Sequence, residues 1–221
     1  MPIEVLGFIH ILLFVFWLGA DVGVFTSAVL AKNPKLSFET RANLLRLGLI
    51  VDCFPRACFA LIFPVGLHLA DGLGLYPVSG ALYAFGWGIA VFWLTIVFIA
   101  FFNEGKPIAQ TCNTAQFGLE GLLGLLFTAV GLNSLATGAP LVDVWFAVKI
   151  LLFGLAFWAA MAIDLCFRPF FAPFMEIGLH GSTPEREEAV GRAINNTLVA
   201  VMTLYVIIAI IAFLGKVKLA F

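Results

Sequence analysis

Six apolar stretches, each long enough to cross a bilayer as a helix, constrain the fold of this chain more than any other feature. A spanning helix needs about 20 apolar residues, and it satisfies its backbone polar groups with its own hydrogen bonds. The stretches cover about residues 4–29, 47–70, 80–102, 117–137, 144–167 and 196–215. The sequence therefore predicts a single all-α transmembrane domain over residues 1–221. We expect a polytopic bundle of about six helices with both termini on the same side of the membrane.

The low content of charged residues excludes a soluble domain. Charged residues make up 11% of the chain and hydrophobic residues 62%, whereas soluble domains carry about 25% charged residues. The net charge is -1 and no basic cluster stands out, so we expect the lipid bilayer and no nucleic acid as a partner. No Lys or Arg precedes the first apolar stretch, so we expect it to be retained rather than cleaved as a signal peptide.

The distribution of Lys and Arg over the predicted loops indicates the orientation. We call the side of the N-terminus side A and the opposite side B. Side A loops hold only Lys216 and Lys218, whereas side B loops hold Lys32, Lys35, Arg41, Arg46, Lys106, Arg168, Arg186 and Arg192. Cytoplasmic loops carry the excess of positive charge, which predicts a bacterial inner-membrane protein with periplasmic termini. The segment Ser37–Arg46 is expected to lie along the membrane surface on side B.

The ionisable residues within the predicted spans fall into two layers. At a rise of about 1.5 Å per residue, His10, His68 and Lys149 lie at a similar depth near side A. Asp21 and Arg56 lie together in a second layer, nearer to side B. Ionisable side chains are costly in lipid unless they face a protein interior, and they commonly mark functional sites.

Two histidines at matched depth on adjacent antiparallel helices are what a bis-histidine b-type haem requires. His10 and His68 are therefore candidate axial metal ligands, and Lys149 is a candidate partner for a propionate. Aromatic side chains at the same depth are expected to wall an apolar slot: Phe14, Trp17, Phe63 and Trp145. Glycines that would let a flat macrocycle approach the backbone are Gly7, Gly19 and Gly66. The alternative is that each histidine hydrogen-bonds a neighbouring helix or lies in the membrane interface.

Arg56 in the second layer has two interpretations. It can form an ion pair with Asp21 or with Asp52, four residues earlier, which would fix the packing of the first two helices. It can instead contact an anion or a quinone, with Asp52 on a proton path. The sequence alone leaves both open.

The fourth stretch carries glycines at spacings that predict a close helix–helix contact: Gly118, Gly121, Gly124 and Gly131. Glu120 lies among them, near the side B boundary. We expect its carboxylate to reach the membrane interface rather than to be buried.

The stretch from His10 through Trp17 to Gly19 resembles the H-x6-W-x-G signature that opens a superfamily of small membrane proteins. This superfamily includes the HemJ-type protoporphyrinogen oxidases, the copper-resistance D (CopD) membrane domains and related uncharacterised proteins. Two later stretches are similar to it: the run from Trp145 to Lys149, and Arg192-Ala-Ile-Asn-Asn, which resembles an R-x-x-N-E motif. The resemblance implies that His10 is the haem-linked histidine and Lys149 the lysine of the fifth helix.

The chain departs from the HemJ pattern in two places. Asn196 stands where that pattern has an acid, and the Tyr-Leu-Pro-Arg that follows the first-helix motif there is absent. Helices three and four resemble an insertion. The resemblance also implies nothing for His68, whose assignment depends on its depth alone.

Taken together, these features predict a haem-b-binding membrane protein that passes electrons between a periplasmic-side partner and the quinone pool or a partner enzyme. Trp17 and Arg56 are expected to contribute to the cofactor site, with Arg56 in its second layer. Bis-histidine ligation leaves no open iron position, which favours electron transfer over oxygen chemistry. One alternative is a membrane oxidoreductase of the HemJ kind that oxidises a porphyrinogen. Another is a metal or small-solute permease without haem.

Overall fold

The computed structural model describes residues 2–218, and within that range the regular structure is entirely helical. The α-helices are α1 (Ile3–Ala31), α2 (Phe38–Gly72), α3 (Gly80–Phe102), α4 (Pro107–Thr137), α5 (Val144–Phe167), α6 (Phe171–His180) and α7 (Pro184–Val217). A single 3-10 turn, Arg168–Phe170, joins α5 to α6. Six helices in the described chain are long and apolar enough to cross a membrane, with α5 running on through α6 as one of them. The predicted all-α bundle with six spans is confirmed.

The spanning helices form a closed ring. Each packs on the next in chain order from α1 to α5, α5 packs on α7, and α7 returns to α1 through a smaller contact. Aromatic side chains fill the centre of the ring, and we call this group the aromatic cluster: Trp17, Phe59, Trp93, Phe127, Phe153 and Phe157. The Phe59 ring lies 4.3 Å from that of Trp17 and 4.5 Å from that of Phe157, centroid to centroid. The middle of the bundle is therefore closed by packed rings.

Three helices begin well before the apolar stretches that predicted them. The segment Ser37–Arg46, expected to lie along the membrane surface, instead forms the start of α2, and the Ser37 hydroxyl accepts a hydrogen bond from the Thr40 N–H. In the same way, α4 begins at Pro107 and α7 at Pro184. Hydropathy marks only the part of a helix that lies in lipid, whereas capping residues and proline mark where the helix starts.

Arg41 holds the side B end of the ring together. Its side chain is 1% exposed, and its two terminal nitrogens donate to the two carboxylate oxygens of Glu187 at 2.9 and 3.0 Å. Its Nε also donates to the Ala31 carbonyl at 2.7 Å. One guanidinium thus joins the end of α1, the start of α2 and the start of α7. The sequence analysis placed Arg41 in an exposed loop on side B. The structure instead places it, buried, in the first turn of α2.

The predicted glycine contact of α4 is confirmed for three of its four residues. A Cβ at Gly131 would lie 2.6 Å from the backbone of Leu151 on α5, and Gly121 and Gly124 also face side chains of α5. Nothing lies within 4 Å of a Cβ at Gly118. On the facing helix, a Cβ at Gly154 would lie 2.5 Å from the Thr128 backbone nitrogen. The two backbones approach so closely that neither glycine has room for a side chain.

We expect Arg41→Ala to lower the free energy of unfolding by about 3 kcal/mol, because it removes a buried guanidinium and leaves the half-buried Glu187 carboxylate with the Ser182 hydroxyl as its remaining side-chain donor among the described residues. Thermal unfolding of the detergent-purified protein measures the change. Arg46→Ala is the matched control, since Arg46 is exposed on the same helix, and it should change stability by less than about 0.5 kcal/mol. Equal effects of the two substitutions would contradict the role given to Arg41.

We expect Gly154→Ala to destabilise the bundle by about 1–3 kcal/mol, since its methyl group would push against the α4 backbone. Gly118→Ala, which adds the same methyl group in open space on α4, should leave the unfolding temperature unchanged or raise it slightly. Thermal unfolding of both variants in one detergent makes the comparison. A harmless Gly154→Ala would show that the two helices can separate at no cost.

Candidate functional site

His10 of α1 lies against the backbone of α2. A Cβ at Gly66 would lie 3.3 Å from His10 Cε1, so a larger residue there would press on the imidazole. His10 Nδ1 is buried and makes no hydrogen bond within the part of the chain that the structure describes. Buried polar atoms normally have a partner. This nitrogen is therefore a candidate for a bond to a group other than these side chains.

Lys149 is the residue of α5 that the sequence places at the depth of His10. Its ammonium is within electrostatic range of the imidazole, and a Cβ at Gly215 of α7 would lie 2.8 Å from Lys149 Nζ. None of the ion pairs found within residues 2–218 includes Lys149. His10 and Lys149 thus lie within electrostatic range of each other near side A, and no hydrogen bond joins the two side chains among the described residues.

His68 occupies a different face of α2. It follows Gly66 by two residues, which is about 200° around a helix, and it faces α3. The indole N–H of Trp87 donates to His68 Nε2 at 3.1 Å, and the imidazole stacks on Tyr83 with 4.3 Å between ring centroids. An iron bound at His68 Nε2 would have to displace Trp87. Ligation of haem by His68 stays a prediction, and the observed bond to a neighbouring helix is the alternative that the sequence left open.

Three of the four aromatic residues expected to wall a slot lie beside other rings instead, and the fourth, Phe14, is partly buried against the aromatic cluster. Trp17 is 4% exposed and stacks on Phe59. Phe63 meets Phe127 edge to face at 4.9 Å. Trp145 is also buried, close to Phe146. In this structure these rings form part of the bundle's packed interior, which the sequence could not distinguish from the wall of a cofactor site.

Arg56 in the deeper layer pairs within its own helix. Its Nε donates to Asp52 Oδ2 at 2.6 Å, so of the two predicted partners the structure selects Asp52, and the Asp21–Arg56 ion pair is not formed. Asp21 lies instead beside Tyr205 of α7, whose hydroxyl is buried without a well-formed hydrogen bond. Asp21 of α1 thus lies beside α7, and it is also within electrostatic range of Asp52 and Arg56 on α2.

Glu120 of α4 belongs to the same layer, which the sequence did not predict. Its side chain is 6% exposed and accepts a hydrogen bond from Gln116 Nε2 at 2.8 Å. It lies within electrostatic range of Arg56, as does Asp164 of α5. The expectation that Glu120 reaches the membrane interface is wrong. The signal that could have found it is Gln116, one helical turn earlier on the same face.

Comparison with protein-family profiles, curated proteins and solved structures finds no match to this chain. The superfamily resemblance therefore depends on the motif residues alone. What the fold and the placement of these residues define is a polytopic helical membrane protein. It has a histidine–lysine pair near side A, a closed aromatic centre, and an ionisable layer toward side B.

We expect Arg56 to be coupled more strongly to Asp52 than to Asp21, because only the Arg56 and Asp52 side chains are hydrogen-bonded to each other. Double-mutant cycles with Arg56→Met, Asp52→Asn and Asp21→Asn measure this through unfolding in detergent. The Arg56–Asp52 coupling should be at least about 0.5 kcal/mol. A larger coupling between Arg56 and Asp21 would restore the ion pair that the structure rejects.

Proposed function

We propose that this protein is a membrane redox protein that binds a b-type haem at His10 and passes electrons between a partner on side A and the quinone pool. The observation that carries the proposal is the buried, unbonded Nδ1 of His10 within the described chain, beside the Gly66 backbone and near Lys149. Neutral imidazole nitrogen is a common ligand of haem iron.

The residues on the His10 side fit this group. His10 supplies an unbonded nitrogen, and the Lys149 ammonium supplies a positive charge for a propionate. The fit for a second histidine is weaker, because His68 Nε2 already accepts the Trp87 hydrogen bond. When bound, a haem supplies one-electron chemistry. The chain would hold it, balance its charge and exclude water through the aromatic cluster.

The proposal places side A at the periplasmic face of a bacterial inner membrane. The bias of Lys and Arg toward side B supports this orientation. Two of the side B arginines form ion pairs, Arg41 with Glu187 and Arg168 with Asp164. Both still lie at the side B end, so the excess of Lys and Arg on that side remains. A redox partner on side A would then be a periplasmic protein or a neighbouring membrane subunit.

The proximity of His10 and Lys149 favours a second candidate, an enzyme that oxidises a porphyrinogen. These are the two residues that the superfamily resemblance implies, and a single histidine ligand would leave an iron position open to chemistry. The aromatic cluster argues against the third alternative, a permease, since packed rings separate the ionisable layers of the two sides.

We expect the purified protein to show the dithionite-reduced minus oxidised spectrum of a b-type haem, and His10→Ala to abolish it. His180→Ala is the matched control, because His180 is a surface histidine with a 61% exposed side chain, and it should leave the spectrum unchanged. Lys149→Ala should retain iron ligation but weaken haem retention, measured as the haem-to-protein ratio after gel filtration.

His68→Ala separates the two ligation schemes. A lost or shifted low-spin spectrum would support His68 as the second ligand, whereas an unchanged spectrum would assign the iron to His10 without His68. A colourless protein, from cells supplied with haem precursor, would overturn the proposal. Accumulation of porphyrinogen in a deletion strain, reversed by wild type but not by His10→Ala, would favour the enzyme over the electron carrier.

A further inference from the structure

A groove of about 730 Å³ lies between α1, α2 and α3. Its apolar wall comes from α1 and α2, including Leu6, Leu13, Leu61 and Val65. Leu13 and Leu61 lie toward the middle of their helices, whereas the groove's other end is near side A. A volume of this size is within the range of small-molecule sites, about 300–1,000 Å³.

The polar residues of the groove are confined to its side A end: His68, Asp71, Tyr83 and Trp87. The Asp71 carboxylate is held in place, since its Oδ2 accepts from the Tyr83 hydroxyl at 2.9 Å and its Oδ1 from the Val78 N–H at 3.1 Å. The groove is therefore amphipathic along its length, with a polar head and an apolar body that extends into the bilayer.

His68 presents a hydrogen-bond donor at this polar end. An indole N–H can only donate, so the Trp87 bond requires that His68 Nε2 accept. The neutral imidazole then carries its hydrogen on Nδ1. This nitrogen makes no hydrogen bond within the described residues, and it is not among their buried unbonded atoms. It is consequently an accessible N–H whose orientation is fixed by Trp87 and by stacking on Tyr83.

The charge of the groove limits what can bind. None of the residues that line it within the described chain is Lys or Arg, and its ionisable anion is Asp71. An anionic phosphate head would be repelled there. A neutral head with a hydrogen-bond acceptor and an apolar tail complements both ends of the groove.

We propose that this groove binds a neutral lipophilic quinone, with one carbonyl oxygen accepting the hydrogen bond of His68 Nδ1. The ring lies at the polar end near Tyr83 and Trp87, and the tail follows the apolar wall toward the bilayer centre. The inference rests on the proposed exchange with the quinone pool for the choice of ligand. His10 is not among the residues that line the groove, so either proposal can fail alone.

Photolabelling of the protein in phosphatidylcholine nanodiscs tests the inference. A photoreactive azido-quinone with a ten-carbon tail should label saturably, and mass spectrometry should map the label to residues 3–13, 61–72 and 83–87. Non-photoreactive decyl-quinone should compete, whereas added phosphatidylethanolamine should not. Labelling elsewhere, absence of saturation, or equal displacement by phosphatidylethanolamine would overturn the proposal, the last by assigning the groove to a lipid.

Variants of the hydrogen-bonded residues give the matched comparison. His68→Leu removes the donor and should weaken quinone affinity about tenfold, the effect of one hydrogen bond of about 1.4 kcal/mol. His68→Gln restores an N–H donor and should recover part of the affinity. Trp87→Phe releases the imidazole and should weaken binding severalfold. Trp158→Phe is its control, because Trp158 is similarly exposed and donates to Thr128 far from the groove.

The outcomes distinguish this inference from the proposed function. Weakened quinone binding in His68→Leu with an unchanged haem spectrum supports both. A colourless protein that still binds quinone in a His68-dependent manner removes the haem and keeps the groove. Quinone binding that is unaffected by His68→Leu and by Trp87→Phe overturns the inference, whatever the spectrum shows.

Discussion

The cost of placing an ionisable group in lipid determines how the interior of this bundle is arranged. Each such group must find a partner inside the protein, because the hydrocarbon offers none. Arg56 is hydrogen-bonded to Asp52, Glu120 to Gln116, and Arg41 to Glu187. Three buried side-chain atoms among the described residues lack a hydrogen-bond partner: Trp93 Nε1, the Tyr205 hydroxyl and His10 Nδ1. Of these, the His10 atom is the imidazole nitrogen that commonly ligates haem iron. This chemistry makes α1 the helix that carries the candidate ligand.

Depth along the membrane could be predicted from the sequence, but direction around a helix could not. Counting residues placed His10 and Lys149 at one level, and in the structure they lie within electrostatic range of each other. The same count placed His68 at that level. A shift of two residues turns a side chain by about 200°, and the two prolines inside α2 add to the uncertainty of any angular count. His68 therefore points toward α3, where only the fold could reveal Trp87.

Burial of charged residues near the membrane surface was the other feature that the sequence could not supply. Arg41 lies just before its apolar stretch, and Glu120 lies near the start of its own. A charged side chain at such a position ordinarily reaches water. Arg41 is buried because Glu187, 146 residues later, folds back beside it. Glu120 is buried because α4 begins earlier than its apolar stretch and carries Gln116. A hydropathy pattern cannot reveal either contact, although it was sufficient to predict the six spans.

The ring of helices has a consequence for how the protein is made. Every neighbouring pair except one joins helices that follow each other in synthesis, with only the short α6 between α5 and α7. The exception is the seam between α1 and α7, and Arg41 binds across it. Arg41 is synthesised with α2, whereas its carboxylate partner Glu187 follows only with α7. Neighbouring helices can thus pack in the order of their synthesis. The Arg41–Glu187 contact that closes the ring forms only after the start of α7 has been synthesised.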